Sequence, residues 1–230
     1  CAISAHSTTN PGNPDFTDMS LETHLHRVRE LRRIGGEIFE LVLERDGVVF
    51  VPGDCLALFA RDGVASRPYS ISSGVDDPDL VFLIRHLPGG EVSSYLASLQ
   101  PGDRVKASLP FGWFRPGETL DSAPFIFVAT GTGISPFLSH LRSRPRFPPA
   151  QFFHGVRNAA DRVPLPLDPG VCEVHVAVSR EEVPGTHHGR VTGMLDRLRV
   201  DPACHYYLCG LDEMIDEVTR WLEARGIPLK

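Results

Sequence analysis

The sequence predicts two units of different fold class, a β-sandwich or small β-barrel followed by a doubly wound parallel sheet. In the first half, short apolar runs alternate with turn sequences about every ten residues, which is typical of antiparallel β-structure. In the second half, apolar runs alternate with helical stretches, which is typical of a parallel sheet and its crossover helices. The length of 230 residues accommodates two small domains or one large one.

The predicted elements of the first half are mostly strands. They are expected at residues 39–43, 55–59, 80–84 and 104–107. Turn sequences rich in Gly, Pro and Asp separate them, at 45–47, 51–54 and 100–103. One helix, at 93–99, interrupts the strands, and the glycine pair Gly89 and Gly90 precedes it.

The second half is predicted to alternate between strand and helix. Strands are expected at 125–129, 150–154, 174–178 and 205–208, and helices at 136–144, 192–199 and 212–225. The change of pattern near 116–122 predicts a β-rich domain at 21–120 and an α/β domain at 121–230. Residues 1–20 are expected to form a flexible arm without the basic start and apolar core of a secretory signal, and Met19 is a candidate first residue.

The composition is that of a globular protein, with 42% hydrophobic residues. A net charge of −6 gives no indication of nucleic-acid binding. No apolar run approaches the roughly 20 residues that a membrane-spanning helix needs, so no membrane segment is expected. The five cysteines contain no Cys-x-x-Cys pair, so neither a zinc site nor an iron–sulfur cluster is predicted. Free thiols suit a reducing compartment, and we expect a cytoplasmic protein.

The first motif is Arg67-Pro68-Tyr69-Ser70, in an extended stretch. A guanidinium suits a phosphate, because its planar fork donates two hydrogen bonds, and a tyrosine ring offers a flat surface to a planar heterocycle. Strand alternation is expected to place Arg67 and Tyr69 on one face and Ser70 on the other. The alternative is an ordinary edge strand with a surface arginine and a half-buried tyrosine.

The second motif places Gly89 and Gly90 before the predicted helix, with Ser93 and Ser94 in its first turn. Glycines at this point leave backbone N–H groups and the positive end of the helix dipole available to an anion. The alternative is that Ser93 simply caps the helix.

Two further motifs follow predicted strands of the second half. Thr130-Gly131-Thr132-Gly133 stands between a strand and a helix, where a doubly wound sheet binds its ligand. It matches neither the G-x-G-x-x-G fingerprint nor a P-loop, and a tight strand–helix turn is the alternative. Cys209-Gly210 stands at another strand end, where a lone cysteine is more often a buried small residue than a reactive one.

In this order, the four motifs resemble those of the ferredoxin–NADP(+) reductase superfamily, over about residues 24–229. The resemblance implies a six-stranded antiparallel flavin-binding barrel followed by a nicotinamide-binding α/β domain. It implies that Tyr69 stacks on the flavin and that Ser70 lies near the flavin N5, which receives the hydride. Arg67 and Ser93 would hold the flavin phosphate.

The resemblance assigns further residues to each cofactor. For the flavin these are Pro68, the backbone of Ile84, Arg85 and His86, and the loop residues Gly90 and Ser94. For the dinucleotide they are Thr130, Gly131, Thr132, Gly133 and Gly210, while Cys209 would line the nicotinamide pocket and take part in catalysis. Two departures are noted: Leu211 stands where relatives often have proline, and the sequence ends at Lys230 where many relatives continue into a strand with an aromatic lid.

The implied cofactors are FAD, with FMN open, and NADPH, with NADH open. Ser179 and Arg180 follow the predicted strand 174–178, where the 2′-phosphate of NADPH would lie, and Arg157 would assist. The alternative is a surface Ser-Arg pair before Glu181 and Glu182. The implied function is NADPH-dependent reduction of FAD, followed by electron transfer to a separate acceptor protein. Two alternatives stay open, an NADH-using reductase component of an oxygenase and a non-catalytic regulatory subunit that binds flavin or dinucleotide.

The expected partner is a ferredoxin or flavodoxin, and the protein is expected to be a monomer. Such acceptors are usually acidic, so a basic docking face is expected in the arginine-rich segments 26–33 and 142–146. Ordinary solvated surface is the alternative for both. His187 and His188 are predicted to lie in a solvated loop and not in a metal site.

Overall fold

The computed structural model describes residues 22–112, 114–115, 124–143, 148–168 and 170–227. The predicted arm and the proposed boundary segment lie outside the described residues. No helix in the described part of the chain has the length and apolarity needed to cross a bilayer.

The first unit is a six-stranded antiparallel sheet in the order β4-β3-β6-β1-β2-β5. Its strands are β1 (Thr23–Arg33), β2 (Ile38–Glu44), β3 (Cys55–Phe59), β4 (Ser66–Ser70), β5 (Asp79–Arg85) and β6 (Arg104–Ser108). The edge strands β4 and β5 approach each other, and an antiparallel bridge joins Ile71 to Phe82. The sheet is therefore a nearly closed barrel, which confirms the predicted fold.

Alternation along β2 and β5 builds the barrel core. Phe39 and Leu41 of β2, with Phe82 and Ile84 of β5, point inward and are fully buried. The adjacent residues Ile38 and Leu83 point outward, yet they are also buried, because they pack against the second unit. Both faces of these strands are covered, so their sequences are almost continuously apolar.

The second unit is a five-stranded parallel sheet in the order β10-β9-β8-β7-β11. Its strands are β7 (Phe125–Thr130), β8 (Gln151–Val156), β9 (Glu173–Val178), β10 (His187–His188) and β11 (His205–Cys209). Since β8 lies on one side of β7 and β11 on the other, the strand order reverses at the carboxyl end of β7. A crevice at such a reversal is where open α/β sheets bind ligands.

The α-helices are α1 (Glu91–Ser98) in the barrel unit, and α2 (Ser135–Arg142) and α3 (Asp212–Glu223) in the sheet unit. The helix predicted at 192–199 is wrong in type, since Val191–Arg197 is a 3-10 helix. Helix α1 begins two residues before Ser93, so its N-cap is Gly90 and Ser93 is not the cap. The predicted loop at His187 and His188 is also wrong, because these residues pair with β9 as a short parallel strand.

Candidate functional site

A cavity of about 550 Å³ lies between the barrel and the carboxyl ends of β7, β8 and β11. This volume falls within the range of small-molecule and cofactor sites. The predicted site residues that line it are Pro68, Tyr69, Ser70, Arg85, Thr130, Gly131, Thr132, Gly133, Arg157, Ser179, Arg180 and Gly210. The structure thus brings three of the four motifs, with the Ser179-Arg180 pair, to one place.

The first motif reaches the cavity through the end of β4. Register pairs Arg67 with Leu58 and Tyr69 with Leu56, so both side chains lie on the same face of the strand, as alternation predicts. Arg67 is exposed and donates a hydrogen bond to the neighbouring Ser66 carbonyl, and it does not line the cavity. Tyr69 packs against the barrel core, and burial raises the pKa of its phenol. Tyr69 therefore stays neutral and presents an aromatic surface at the cavity wall.

The second motif forms a compact group at the start of α1. The Ser93 hydroxyl accepts a hydrogen bond from the Leu87 N–H at 3.1 Å, and the Ser94 hydroxyl lies 3.3 Å from His86 Nε2. A Cβ on Gly90 would approach Ser93 Oγ to 2.9 Å, so this position suits glycine. These residues lie outside the cavity, as does Ile84, which is fully buried in the barrel core.

The loops that follow β7 and β11 pack backbone against backbone. A Cβ on Gly133 would lie 2.5 Å from the Cys209 carbonyl oxygen and 2.6 Å from Gly210 Cα. Gly210 has φ +146, and its own Cβ would collide with the Thr130 side chain. The Thr130 hydroxyl accepts a hydrogen bond from the Leu211 N–H at 2.8 Å, which ties the two loops together. The glycines are therefore required by close approach.

Cys209 stands beneath this contact and is only 3% exposed. Burial raises the pKa of its thiol to about 11, so the thiol is protonated at neutral pH. A protonated, buried thiol is a poor nucleophile, and it contributes shape and polarisability to its surroundings.

Four arginines line the cavity: Arg85, Arg157, Arg180 and Arg190. Burial and then the nearby charge of Arg157 lower the pKa of Arg85, although a guanidinium remains charged in proteins. Arg157 lies 3.5 Å from the Glu37 carboxylate of the barrel hairpin. With four guanidinium groups in its lining, the cavity is suited to a phosphate-bearing ligand.

Two loops hold Arg157 and Arg180 side by side. The Arg180 N–H donates to the Arg157 carbonyl at 2.9 Å. The Glu181 carboxylate accepts a hydrogen bond from the Ala159 N–H, which joins the loop after β9 to the loop after β8. These two contacts hold the backbones of Arg157 and Arg180 next to each other at the cavity.

Sequence reasoning missed Arg190. It follows β10, where the sequence predicts a loop, so the pattern indicates no strand end at this point. The signal that could have found it is Gly189-Arg190 directly after a strand that extends the parallel sheet. The aliphatic contribution of Leu83 from the barrel was also missed, because its outward orientation depends on the second unit.

The expected basic docking faces carry less free charge than the sequence predicts. Arg142 is one quarter exposed, donates to the Ser72 carbonyl at 2.9 Å and approaches Glu40 to 3.8 Å. These contacts connect α2 to the barrel and offset part of the charge of Arg142, while a basic docking face at 142–146 stays a prediction. Arg144 and Arg146 lie outside the described residues. On β1, Arg29 and Arg32 lie within 3.5 Å of acidic side chains, which offset their charge.

Comparisons with known proteins agree with this geometry. The oxidoreductase FAD-binding domain family matches residues 35–115. The flavodoxin/ferredoxin–NADP reductase of Shigella flexneri is 30% identical over 211 residues, which cover 82% of this chain and 85% of that protein. The electron transfer component of toluate 1,2-dioxygenase from Pseudomonas putida is 30% identical over 78% of this chain, but over only 56% of its own length.

A solved structure has the same fold. The ferredoxin–NADP+ reductase from Neisseria gonorrhoeae, crystallised with FAD and NADP, superposes with a TM-score of 0.78 over 89% of this chain and 92% of that one, at 20% identity. The fold, the cavity between its two units and the extent of the Shigella flexneri match support one assignment. The chain belongs to the ferredoxin–NADP(+) reductase superfamily of flavin- and nicotinamide-dependent oxidoreductases.

Proposed function

We propose that this protein is an FAD-dependent NADPH reductase that passes electrons to a separate acceptor protein. The observation that carries the proposal is the cavity in which Tyr69 and Ser70 of the barrel face the glycine loops after β7 and β11. An aromatic ring and a hydroxyl on one side, with glycine loops and arginines on the other, suit a planar heterocycle that meets an anionic dinucleotide.

The barrel residues fit a flavin. Tyr69 offers the planar surface, and Ser70 places a hydroxyl beside it at the cavity wall, which supports the role of Ser70 near the reacting atoms. Arg67 lies on the same strand but does not line the cavity. Its side chain is exposed at the barrel surface, where it can meet a phosphate. The chemistry that FAD supplies when bound is acceptance of a hydride and release of electrons one at a time.

The sheet residues fit a nicotinamide dinucleotide. Thr130, Gly131 and Thr132 line the cavity where the 3-10 turn Gly131–Ile134 leads into α2, so a ligand can approach small side chains and backbone there. Arg85 crosses from the barrel to this loop, since a Cβ on Gly131 would lie 2.8 Å from its guanidinium. We infer that Arg85 meets the dinucleotide phosphates at the boundary of the two units. The barrel and the sheet would then share one ligand, which orients it for hydride transfer.

The first test is reduction of the bound flavin. The purified protein, after incubation with FAD, is expected to be yellow and to lose this colour rapidly when NADPH is mixed with it under anaerobic conditions in a stopped-flow instrument. Failure to take up FAD or FMN would contradict the proposed cofactor. Stable colour in the presence of NADPH and NADH would instead support the regulatory-subunit alternative.

A second candidate function is the reductase component of an oxygenase. The observation that favours it is the similarity to the toluate 1,2-dioxygenase component and to the reductase component of propane 2-monooxygenase from Mycolicibacterium goodii, 30% identical over 78% of this chain. In either case the acceptor is an electron-transfer protein. Rates of electron transfer to ferredoxin, to flavodoxin and to oxygenase components, measured with one purified sample, would distinguish the two functions.

Salt dependence tests whether the acceptor docks by charge. Cytochrome c reduction through ferredoxin or flavodoxin is expected to fall steeply as salt rises, because screening shortens to about 8 Å at physiological ionic strength. Reduction of ferricyanide, which needs no docking face, is expected to change little. Arg33 is the exposed residue of segment 26–33 chosen for charge reversal. Arg33→Glu should raise KM for the protein acceptor and leave KM for NADPH unchanged.

The matched control is Arg199→Glu, at the amino-terminal end of the parallel sheet, away from the cavity. This variant should behave like the wild-type protein with both acceptors. Equal effects of the two reversals, or salt-independent reduction of ferredoxin and flavodoxin, would count against a basic docking face on β1.

A further inference from the structure

A buried histidine contacts the loop between β7 and α2 without lining the cavity. His154 lies on β8, in register with Ala129 of β7, and is 3% exposed. Its Nε2 lies 3.1 Å from the carbonyl oxygen of Gly131, the first glycine of the loop between β7 and α2. The imidazole thus extends from β8 to Gly131, the residue that follows the neighbouring strand β7.

The peptide that His154 contacts begins at a glycine that the barrel approaches closely. Gly131 has φ +53, in the left-handed region. It is also the point at which Arg85 of the barrel approaches the loop, with its guanidinium 2.8 Å from where a Cβ would lie. A rotation of this peptide would move the loop relative to both the barrel and the cavity.

The protonation state of His154 follows from its partner. A carbonyl oxygen only accepts hydrogen bonds, so Nε2 carries the proton. Burial lowers the pKa of the imidazole to about 4, while the Gly131 contact raises it and Arg162 lowers it further. The ring is therefore a neutral hydrogen-bond donor throughout the physiological pH range.

The hydrogen bond to Gly131 orients the ring of His154, because it is directional whereas apolar burial is not. His154 also lines a second cavity, of about 340 Å³, whose walls include Val163, Val174 and Val176. The hydrogen bond to Gly131 is therefore a contact on the side of the ring that meets the loop between β7 and α2.

We propose that His154 is a positioning residue for the dinucleotide, which holds the Gly131 peptide and with it the loop between β7 and α2. The proposal rests on the proposed function, because it assumes that this loop receives a nicotinamide dinucleotide. His154 does not line the cavity between the two units, so it acts through Gly131 and not by contact with the ligand.

Calorimetric titration with NADP+ tests the proposal on three variants. His154→Phe keeps an aromatic ring but removes the donor, and is expected to raise the Kd for NADP+ about tenfold, since the partly buried Gly131 carbonyl loses its partner. His154→Gln retains an N–H donor at the end of the side chain and should restore binding to within about twofold. The matched control is His26→Phe, a 1%-exposed barrel histidine whose Nδ1 lies 3.0 Å from the Glu44 carbonyl. It should leave the Kd unchanged.

A second ligand separates positioning from general destabilisation. The adenosine fragment 2′,5′-ADP carries the 2′-phosphate but lacks the nicotinamide half, so its Kd should change much less than that of NADP+ in His154→Phe. Equal losses for both ligands, or an unrestored His154→Gln, would overturn the proposal. FAD content should be the same in the two His154 variants as in the wild-type protein, because His154 lies outside the barrel.

A measurement on the wild-type protein remains decisive if His154→Phe does not fold. The ¹⁵N chemical shifts of the His154 ring at neutral pH should report the neutral tautomer with the proton on Nε2. A proton on Nδ1, or a charged ring, would overturn the proposal. If wild-type protein binds FAD and NADP+ but the variants bind NADP+ normally, this inference fails alone. If the wild-type protein binds neither ligand, the proposed function itself fails.

Discussion

Gly133→Ala is expected to lower kcat/KM for NADPH about a hundredfold while FAD stays bound, because overpacking at a rigid contact costs about 1–3 kcal/mol. The new methyl group would lie 2.5 Å from the Cys209 carbonyl oxygen and 2.6 Å from Gly210 Cα. Both are backbone atoms and cannot rotate away, so the loops after β7 and β11 must separate. Since the barrel makes no part of this contact, the variant should remain yellow and be reduced slowly in stopped-flow experiments.

Gly36→Ala is the matched control for this substitution. Gly36 lies in the hairpin between β1 and β2, and a Cβ there would meet no atom within 4 Å. The kcat/KM of the Gly36→Ala variant for NADPH should equal that of the wild-type protein. If Gly133→Ala keeps more than half of the wild-type kcat/KM, the close approach of the two loops does not define the dinucleotide site.

The sequence predicts strands best where both faces are buried. The prediction for β3 coincides with the observed bounds, because all five of its residues are buried and the sequence is continuously apolar. Strand β1 received no separate prediction, because most of its side chains face solvent and only His26 and Val28 are buried. Strand β10 contains two residues, too few for any periodic signal.

At Val191–Arg197 the sequence predicts an α-helix, whereas the structure has a 3-10 helix. Its apolar residues Val191, Met194 and Leu195 repeat at helical spacing, which predicts an α-helix. Gly193 packs against His187, since a Cβ at this position would lie 2.6 Å from the His187 ring. This tertiary contact holds the segment close to β10, and nothing local in the sequence reveals it.

The candidate site is predictable to the extent that it depends on strand ends. Gly131, Gly133 and Gly210 stand at the ends of strands whose type was predicted correctly, and parallel strands bring such ends together. The role of Arg142 was not predictable, because the sequence reveals its charge but not the Ser72 carbonyl and Glu40 that engage it. The position of Arg85 also depends on contact between the two units, which no single motif encodes.

Arg180→Ala is expected to remove most of the preference for NADPH over NADH. The two dinucleotides differ only in the 2′-phosphate, so a guanidinium that binds this group discriminates between them. Arg180 lines the cavity beside Arg157, and charge-assisted hydrogen bonds contribute about 1.5–3 kcal/mol each. We expect kcat/KM for NADPH to fall about thirtyfold and kcat/KM for NADH to change less than about twofold.

Two further variants show which property of Arg180 matters. Arg180→Lys keeps the charge but loses the planar fork, so its kcat/KM for NADPH should lie between those of the wild-type protein and Arg180→Ala. Arg199→Ala removes an exposed arginine from the other end of the sheet and should change kcat/KM for neither dinucleotide. An equal loss for NADPH and NADH in Arg180→Ala would mean that this arginine holds a part common to both. A wild-type preference for NADH would exclude 2′-phosphate recognition here and favour the oxygenase-reductase alternative, because Arg180 would then have no phosphate to bind.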